Sequence, residues 1–427
     1  MDRVIRVAVV GAGCSGLAAV KNCLARGLDV VCFEANDDIG GNWIYSEQPG
    51  HSSVCETTHL ISSRSMSAYL DFPMPEAYPD YPSHDQVLRY FRAYADRFRL
   101  RPHIRFRTRV TEARLLADGR WQIATDAGDP EVFDFLLTAN GHHHAPRHPE
   151  EVRSAFTGRY LHSHAYKHNR SFAGERVLVI GGGNSGCDCA VEISRVAART
   201  DISIRRPHYI LPKFFLGRPV DTFNERLGYF PKFVQRALRK LTVKAMVGDY
   251  RLYGLEAPTV PVTSTHPTLN SELLYKIRHG KVQPRRGIAD ITGRRVTFTD
   301  GKKSEYDTIV AATGYRITFP FLDQNLIDYE RADRIPLYLR MFRPDYPTLL
   351  FIGLFQPQGA IWPLADAQSR LAAAYMAGTY RLPKDLRQRA EADSDRIERD
   401  FQRSKRHTIE VHYHAFMHRL ERELGNS

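Results

Sequence analysis

Apolar positions open the chain over residues 4–10, VIRVAVV, interrupted only by Arg6, and break at a glycine-rich stretch. A short, nearly continuous apolar run of this kind reads as a strand buried on both faces. Residues 14–26 then read as a helix, and DVVCFE as a second strand ending at Glu34. The same succession returns at 176–206, where RVLVI, a glycine turn, a helix and DISIRRP follow one another. Strand, glycine turn, helix, strand is the opening unit of a doubly wound parallel sheet. Its duplication predicts an α/β protein with two such domains.

Other segments have different periods. Residues 71–83 (DFPMPEAYPDYPS) are too proline-rich for regular structure and should form a surface loop. Residues 84–100 place apolar side chains at helical spacing, whereas 107–140 and 294–314 read as β-meander and hairpin. Within 217–265, ERLGYFPKFVQRALRKLTVKAMVG is basic and amphipathic, and suits a helix packed on its domain, a lid or a membrane-surface helix. The tail beyond about 383 alternates in charge and should be helical. No repeat of solenoid or propeller period is present.

The glycine turns carry the chemistry. Gly11 permits the first tight turn, Gly13 lets the backbone approach a pyrophosphate, and Gly16 lets the helix lie close to its strand. Ser15 sits in the first helical turn, whose N–H groups favour an anion. Glu34 lies 18 residues beyond Gly16, where a carboxylate accepts hydrogen bonds from a ribose diol and repels a 2′-phosphate. The second turn contains Gly181, Gly183, Asn184, Ser185 and Gly186. Its following strand ends not in an acid but in Arg205 and Arg206, Arg205 lying 19 residues beyond Gly186. Arginine there pairs with a 2′-phosphate. The first site should therefore take FAD and the second NADPH.

Between the turns lies Phe156-Thr157-Gly158-Arg159-Tyr160-Leu161-His162-Ser163-His164-Ala165-Tyr166. Here the chain resembles the flavin-containing monooxygenase family, whose motif F-x-G-x-x-x-H-x-x-x-[YF] is matched at Phe156, Gly158, His162 and Tyr166. Gly40-Gly41-Asn42-Trp43, DFPMP at 71–75, Ala312-Thr313-Gly314-Tyr315 and FIGLFQPQGAIWPLADAQSR at 351–370 also resemble family segments. On that resemblance Gly41, Trp43, Thr313, Gly314, Gln358 and Gln368 are expected at the cofactors, and the four motif residues as struts between domains. It implies a cycle in which NADPH reduces FAD, O₂ adds at flavin C4a, and the hydroperoxide passes one oxygen to a soft nitrogen or sulfur. The cofactor brings the reactivity, so no protein nucleophile is required.

One position departs. Many members that oxygenate heteroatoms carry a flavin-facing asparagine within a segment like T-N-T-S-K, whereas Leu60-Ile61-Ser62-Ser63-Arg64 stands here. Ile61 removes a polar group from the expected reaction site. That keeps open Baeyer–Villiger oxygenation of a carbonyl, or NADPH oxidase activity, although related Baeyer–Villiger enzymes have tryptophan where Tyr166 stands. A disulfide reductase is disfavoured because the cysteines at 14, 23, 32, 55, 187 and 189 form no Cys-x-x-Cys. The intact glycine turns disfavour a merely redox-sensing binding protein.

The expected domains are 1–171 and 311–427 for FAD, and 172–310 for NADPH. Net charge is +12, but the basic residues are dispersed and no nucleic-acid motif accompanies them, so the excess suits anionic cofactors. The histidines at 142, 143, 144, 148, 162, 164 and 168 have no ligand spacing, and no metal is expected. The expected partners are a small-molecule substrate and O₂, without nucleic acid. With no apolar run of membrane-spanning length and no signal peptide, the protein is expected in the cytoplasm. Oligomeric state stays open, a homodimer included.

Overall fold

The computed structural model describes residues 3–48, 52–223, 232–330, 332, 334–401 and 408–425. The chain divides into two compact units. The first comprises 1–44, 64–145 and 316–427, and the second 45–63 and 146–315.

The first unit is built on a five-stranded sheet in the order Leu349–Phe351, Phe135–Thr138, Arg6–Val10, Asp29–Phe33, Ile104–Arg105. All four pairings are parallel. The opening apolar run supplies the central strand, and Val7, Ala8 and Val9 are fully buried. Two helices of small residues, Cys14–Ala25 and Trp362–Met376, pack closely on each other. Helix His84–Arg97 begins at Ser83, which forms a capping box with Gln86. Residues 71–83 form no helix or strand, as their prolines require. The expected meander is a three-stranded antiparallel sheet, Val110–Leu115, Trp121–Thr125 and Glu131–Phe133, with Trp121, Ile123 and Phe133 in the core. The tail is helical over Leu386–Asp400 and Tyr413–Gly425.

The second unit repeats the plan. Its parallel sheet runs Val282–Arg285, Arg199–Ser203, Arg176–Ile180, Thr308–Ala311, Arg159–His162. The hairpin expected near 294–314 forms three antiparallel strands, Ile288–Thr292, Arg295–Phe298 and Lys303–Glu305, before the buried strand Thr308–Ala311. Of the amphipathic stretch, Lys232–Val247 is helical, and 224–231 lies outside the described residues.

The compact units are cut differently from the cofactor domains expected from the sequence. The second unit starts at Pro146, because strand Arg159–His162 adds to its sheet edge. It also takes in 45–63, a stretch whose sequence has neither helical nor strand periodicity to signal where it packs.

Candidate functional site

In the first unit the turn after the central strand is held by main-chain geometry. Gly11 adopts a φ of +99°, and its N–H donates to the Phe33 carbonyl at 2.8 Å. A Cβ on Gly16 would stand 1.8 Å from the Gly11 carbonyl oxygen, so any other residue would push the helix off the turn. Gly13 begins helix Cys14–Ala25 with no side-chain cap and no acid in the first turn. The first N–H groups are thus left for an anion, with the partial positive charge of the helix end behind them. A Cβ on Gly13 would touch only Gly41 Cα, at 3.7 Å, leaving the approach to the turn free of side chains.

Glu34 directly follows the neighbouring strand Asp29–Phe33 and is buried. Its Oε2 accepts from Ala12 N at 2.7 Å and its Oε1 from Asn36 N at 2.9 Å. The carboxylate therefore ties the end of the second strand to the glycine turn. Oε1 also accepts from the Asn36 side-chain amide, so Oε2 is the oxygen that keeps a further lone pair for a ribose hydroxyl.

The other residues expected here gather round the same turn. Gly41 has a φ of +54°, and a Cβ on it would stand 3.1 Å from Gly13 Cα. Gly40 N donates to Ala12 O at 3.1 Å, so the second glycine pair lies directly on the first turn. Trp43 meets Trp362 edge to face at 5.9 Å. Gln368 is fully buried, with its amide oxygen accepting from Gly353 N at 3.0 Å and its amide nitrogen donating to Leu339 O at 2.8 Å. Gln358 is half-buried, bonded through its N–H to Val411 O and through Oε1 to His412.

Sequence reasoning missed two residues of this cradle. Tyr69 donates its hydroxyl to Cys14 O at 2.6 Å. Gly353, at a φ of +79°, leaves room for Ser15, since a Cβ there would lie 2.1 Å from Ser15 Oγ. Gly353 stood within the quoted segment 351–370 as its only glycine before Gly359, and that was the available signal.

The second unit reproduces the turn. Gly181 has a φ of +117° and donates to Ser203 O at 3.0 Å. A Cβ on Gly181 would meet Ala312 O at 2.3 Å, and one on Gly186 would meet Gly181 O at 2.0 Å. Helix Asn184–Ile193 starts at Gly183, again with no side-chain cap and no acid in the first turn. Asn184 turns its Oδ1 to Leu269 N at 3.0 Å, while Ser185 is exposed. Thr268 donates to Gly182 O at 2.9 Å and is itself bonded to His208, a support with no sequence signal. Thr313 donates to Arg147 O at 2.5 Å, and Gly314 O accepts from Arg147 N at 2.9 Å. Both residues close the segment after strand Thr308–Ala311.

The ribose end differs in charge and in environment. Arg205 and Arg206 are exposed and form no ion pair or hydrogen bond among the described residues. Their neighbours are occupied, since Arg285 pairs with Asp201 at 2.6 Å and Arg286 with Glu256 at 3.1 Å. Gly287 provides room beside the Arg205 stem, because a Cβ there would stand 3.4 Å from Arg205 Cγ. Two uncommitted guanidinium groups at the end of this strand can pair with a phosphate, where Glu34 could not.

All four motif residues lie in the second unit. Phe156 is buried in the cluster of Leu178, Phe298 and Tyr306, and Gly158 lies so close under its ring that a Cβ would come within 2.6 Å. Tyr166 is buried in that unit's other cluster, beside Phe172. His162 ends the edge strand with its ring 5.3 Å from His148 and 5.4 Å from Tyr315. Burial, with His148 adding to it, pushes its imidazole down to about 4.

No described helix is long and apolar enough to cross a membrane. Among the described residues no three histidine, cysteine or acidic side chains gather as metal ligands. All six cysteines are free thiols, and burial pushes Cys14 up to about 11 and Cys23 up to about 12.

Two uncapped glycine turns with opposite ribose ends belong to an enzyme of two dinucleotides, and comparison with known proteins narrows the class. The flavin-binding monooxygenase-like family model matches residues 4–427. The chain belongs to that family. It is an oxidoreductase, a flavin monooxygenase with FAD and NADPH as its cofactors. Among its relatives, human flavin-containing monooxygenase 5 is 37% identical over 98% of this chain and 83% of its own length. Rat dimethylaniline monooxygenase [N-oxide-forming] 2 is 34% identical over 98% of this chain and 82% of its own. Among solved structures, S-allyl-L-cysteine S-oxygenase from Allium sativum aligns over 100% of this chain and 89% of its own, with TM-score 0.74 and 24% identity. Cyclohexanone monooxygenase bound to epsilon-caprolactone aligns over 99% and 98%, with TM-score 0.74 and 18% identity. At those identities the structures establish a shared fold.

Proposed function

We propose that this flavin monooxygenase uses NADPH and O₂ to oxygenate a soft nitrogen or sulfur centre of a small molecule. The observation that carries the two-cofactor reading is the contrast at the ribose ends: a buried, internally bonded Glu34 at one turn, and Arg205 and Arg206, exposed and unpaired among the described residues, at the other. FAD is assigned to the turn Gly11–Gly16 with Ser15, Glu34, Gly41 and Trp43. NADPH is assigned to Gly181–Gly186, including Gly183, Asn184 and Ser185, with Arg205 and Arg206. The cofactor domains remain those expected from the sequence, 1–171 with 311–427 and 172–310. Thr313 and Gly314 stand at the cofactors just past the strand Thr308–Ala311, and Gln368 and Gln358 serve the FAD domain, Gln368 by holding Gly353 against Ser15.

FAD, held by Gly11–Gly16 with Ser15, Glu34, Gly41 and Trp43, would supply the oxygen-transfer chemistry, and NADPH, held by Gly181–Gly186 with Arg205 and Arg206, would supply the reducing equivalents. The protein's work is binding and orientation. The uncapped helix ends take the pyrophosphates, Glu34 takes a ribose diol, and the arginines neutralise the 2′-phosphate. Ile61 stands where many heteroatom-oxygenating relatives carry a flavin-facing asparagine, and a hydrocarbon side chain cannot make that amide's hydrogen bonds. That substitution is the observation favouring a second reading, oxygenation of a carbonyl. The name of one relative, a dimethylaniline monooxygenase that forms N-oxides, favours the first. Free thiols throughout accord with the cytoplasm.

The test is stoichiometric. Purified FAD-loaded protein is supplied with NADPH, O₂ and, in turn, thioanisole, N,N-dimethylaniline or cyclohexanone. One sulfoxide or N-oxide formed per NADPH supports the proposal. Product from cyclohexanone alone supports carbonyl oxygenation, and H₂O₂ in place of every product supports an NADPH oxidase.

A further inference from the structure

The two units place corresponding residues by one register. Gly11 N donates to Phe33 O and Gly181 N to Ser203 O, each at the start of its glycine turn. Ser203 is therefore the counterpart of Phe33, and Ile204 that of Glu34. Contacts agree: Glu34 Oε2 accepts from Ala12 N, and the Ile204 side chain would lie 3.3 Å from a Cβ on Gly182. The next strand out continues the match. Phe33 pairs with Arg105 and Ser203 with Arg285, while Glu34 N donates to Arg105 O and Ile204 N to Arg285 O. Arg286 thus stands beside Ile204 as Phe106 stands beside Glu34.

Side chains alternate between the faces of a sheet. Arg205 shares a face with Gly287, since a Cβ there would stand 3.4 Å from Arg205 Cγ. Arg286 falls on the other face, the one from which Ile204 meets the glycine turn. It also directly follows the carboxyl end of strand Val282–Arg285, and in such sheets ligands bind beyond the carboxyl ends. Its Nη1 lies 3.1 Å from Glu256 Oε1, with the two side chains 37% and 49% exposed. An ion pair so open to water holds weakly. A phosphate offers the same guanidinium a fork of charge-assisted bonds. Arg285 is a contrast, because it is bonded to the fully buried Asp201 and is not free to turn elsewhere.

We infer that Arg286 is a third arginine of the NADPH site and that Glu256 competes with the 2′-phosphate for it. This rests on the reading that the turn Gly181–Gly186 takes NADPH. Its consequence is one of sign. Arg286→Ala removes an attraction for the phosphate. Glu256→Gln keeps the shape of the partner, frees the guanidinium and removes a like charge from beside the phosphate. The two substitutions should therefore act in opposite directions on the coenzyme, although each breaks the same ion pair. A pair that merely braced the surface would respond alike to the loss of either member.

The experiment titrates FAD-loaded wild type, Arg286→Ala, Glu256→Gln, the double variant and Arg205→Ala with NADP⁺ and with NAD⁺ by calorimetry. The two coenzymes differ only in the 2′-phosphate. Arg286→Ala should weaken NADP⁺ by roughly 10-fold and Glu256→Gln should tighten it by roughly 3-fold, with NAD⁺ nearly unchanged in both. In the double variant most of the tightening should vanish, because it acts through Arg286. Weakening of NADP⁺ by both single variants, or equal changes for the two coenzymes, would mark a structural brace and overturn the inference. Wild-type affinity in Glu256→Gln would refute the competition. If Arg205→Ala weakens NADP⁺ alone while Arg286→Ala changes nothing, the third arginine is refuted and the NADPH reading stands. If neither arginine variant separates NADP⁺ from NAD⁺, that reading fails and the inference with it.

Discussion

At the residue scale, conformation and charge explain which positions the sequence reveals. Gly11 and Gly181 announce themselves because only glycine enters the φ of about +100° that their turns need. Glu34 and Arg205 announce themselves by distance from those turns. Gly353 does not, since it meets Ser15 across more than a hundred residues. His162 falls between, found through its motif but placed by the structure as a buried, uncharged ring. Its folded pKa of about 4 lies below its ordinary value of 6.5, so the neutral form is the one that fits. Stability from this group is full above pH 6.5 and is lost as pH falls from 6.5 towards 4, by up to about 3 kcal/mol. Urea unfolding of wild type and His162→Gln across that range should show a shallower decline in the variant. Parallel declines would remove His162 as a source of the acid sensitivity. Ile61→Asn belongs to the same scale and should alter the peroxide released per NADPH. An unaltered ratio would show that the departure from the family pattern at this position has no consequence for coupling.

Among elements, the buried parallel strands and helix His84–Arg97 were readable because their apolar period matches their burial. The edge strand Arg159–His162 and the segment 45–63 were not assigned to the second unit, since neither shows its packing partner in its own pattern. The two strand–turn–helix elements differ in what they should bind, and that can be separated by one methyl group. Gly16→Ala would put a Cβ 1.8 Å from Gly11 O, and Gly186→Ala one 2.0 Å from Gly181 O. Each must open its own turn. Gly16→Ala should purify with little flavin, whereas Gly186→Ala should keep flavin and lose reduction by NADPH. Visible absorbance per protein and the anaerobic rate of flavin bleaching on adding NADPH measure the two effects. Loss of flavin from Gly186→Ala rather than Gly16→Ala would reverse the assignment.

For the whole molecule, two copies of one architecture are made unlike by what stands at the end of their second strands. The duplication was legible in the sequence, and so was the charge reversal. What the structure adds is the state of those charges: Glu34 buried and bonded into its turn, Arg205 and Arg206 exposed and uncommitted. The net charge of +12 draws either coenzyme to the surface, so overall attraction does not choose between NADPH and NADH. The choice must be local. A charge-assisted hydrogen bond contributes roughly 1.5–3 kcal/mol, or about a 10- to 150-fold change in affinity. The direct test is kcat/KM for NADPH and for NADH in wild type, Arg205→Ala and Arg206→Ala. Each substitution should lower the NADPH value by roughly that factor and leave the NADH value nearly unchanged. Equal losses for both coenzymes would show that these arginines do not bind a 2′-phosphate, and the division of the two sites would fail.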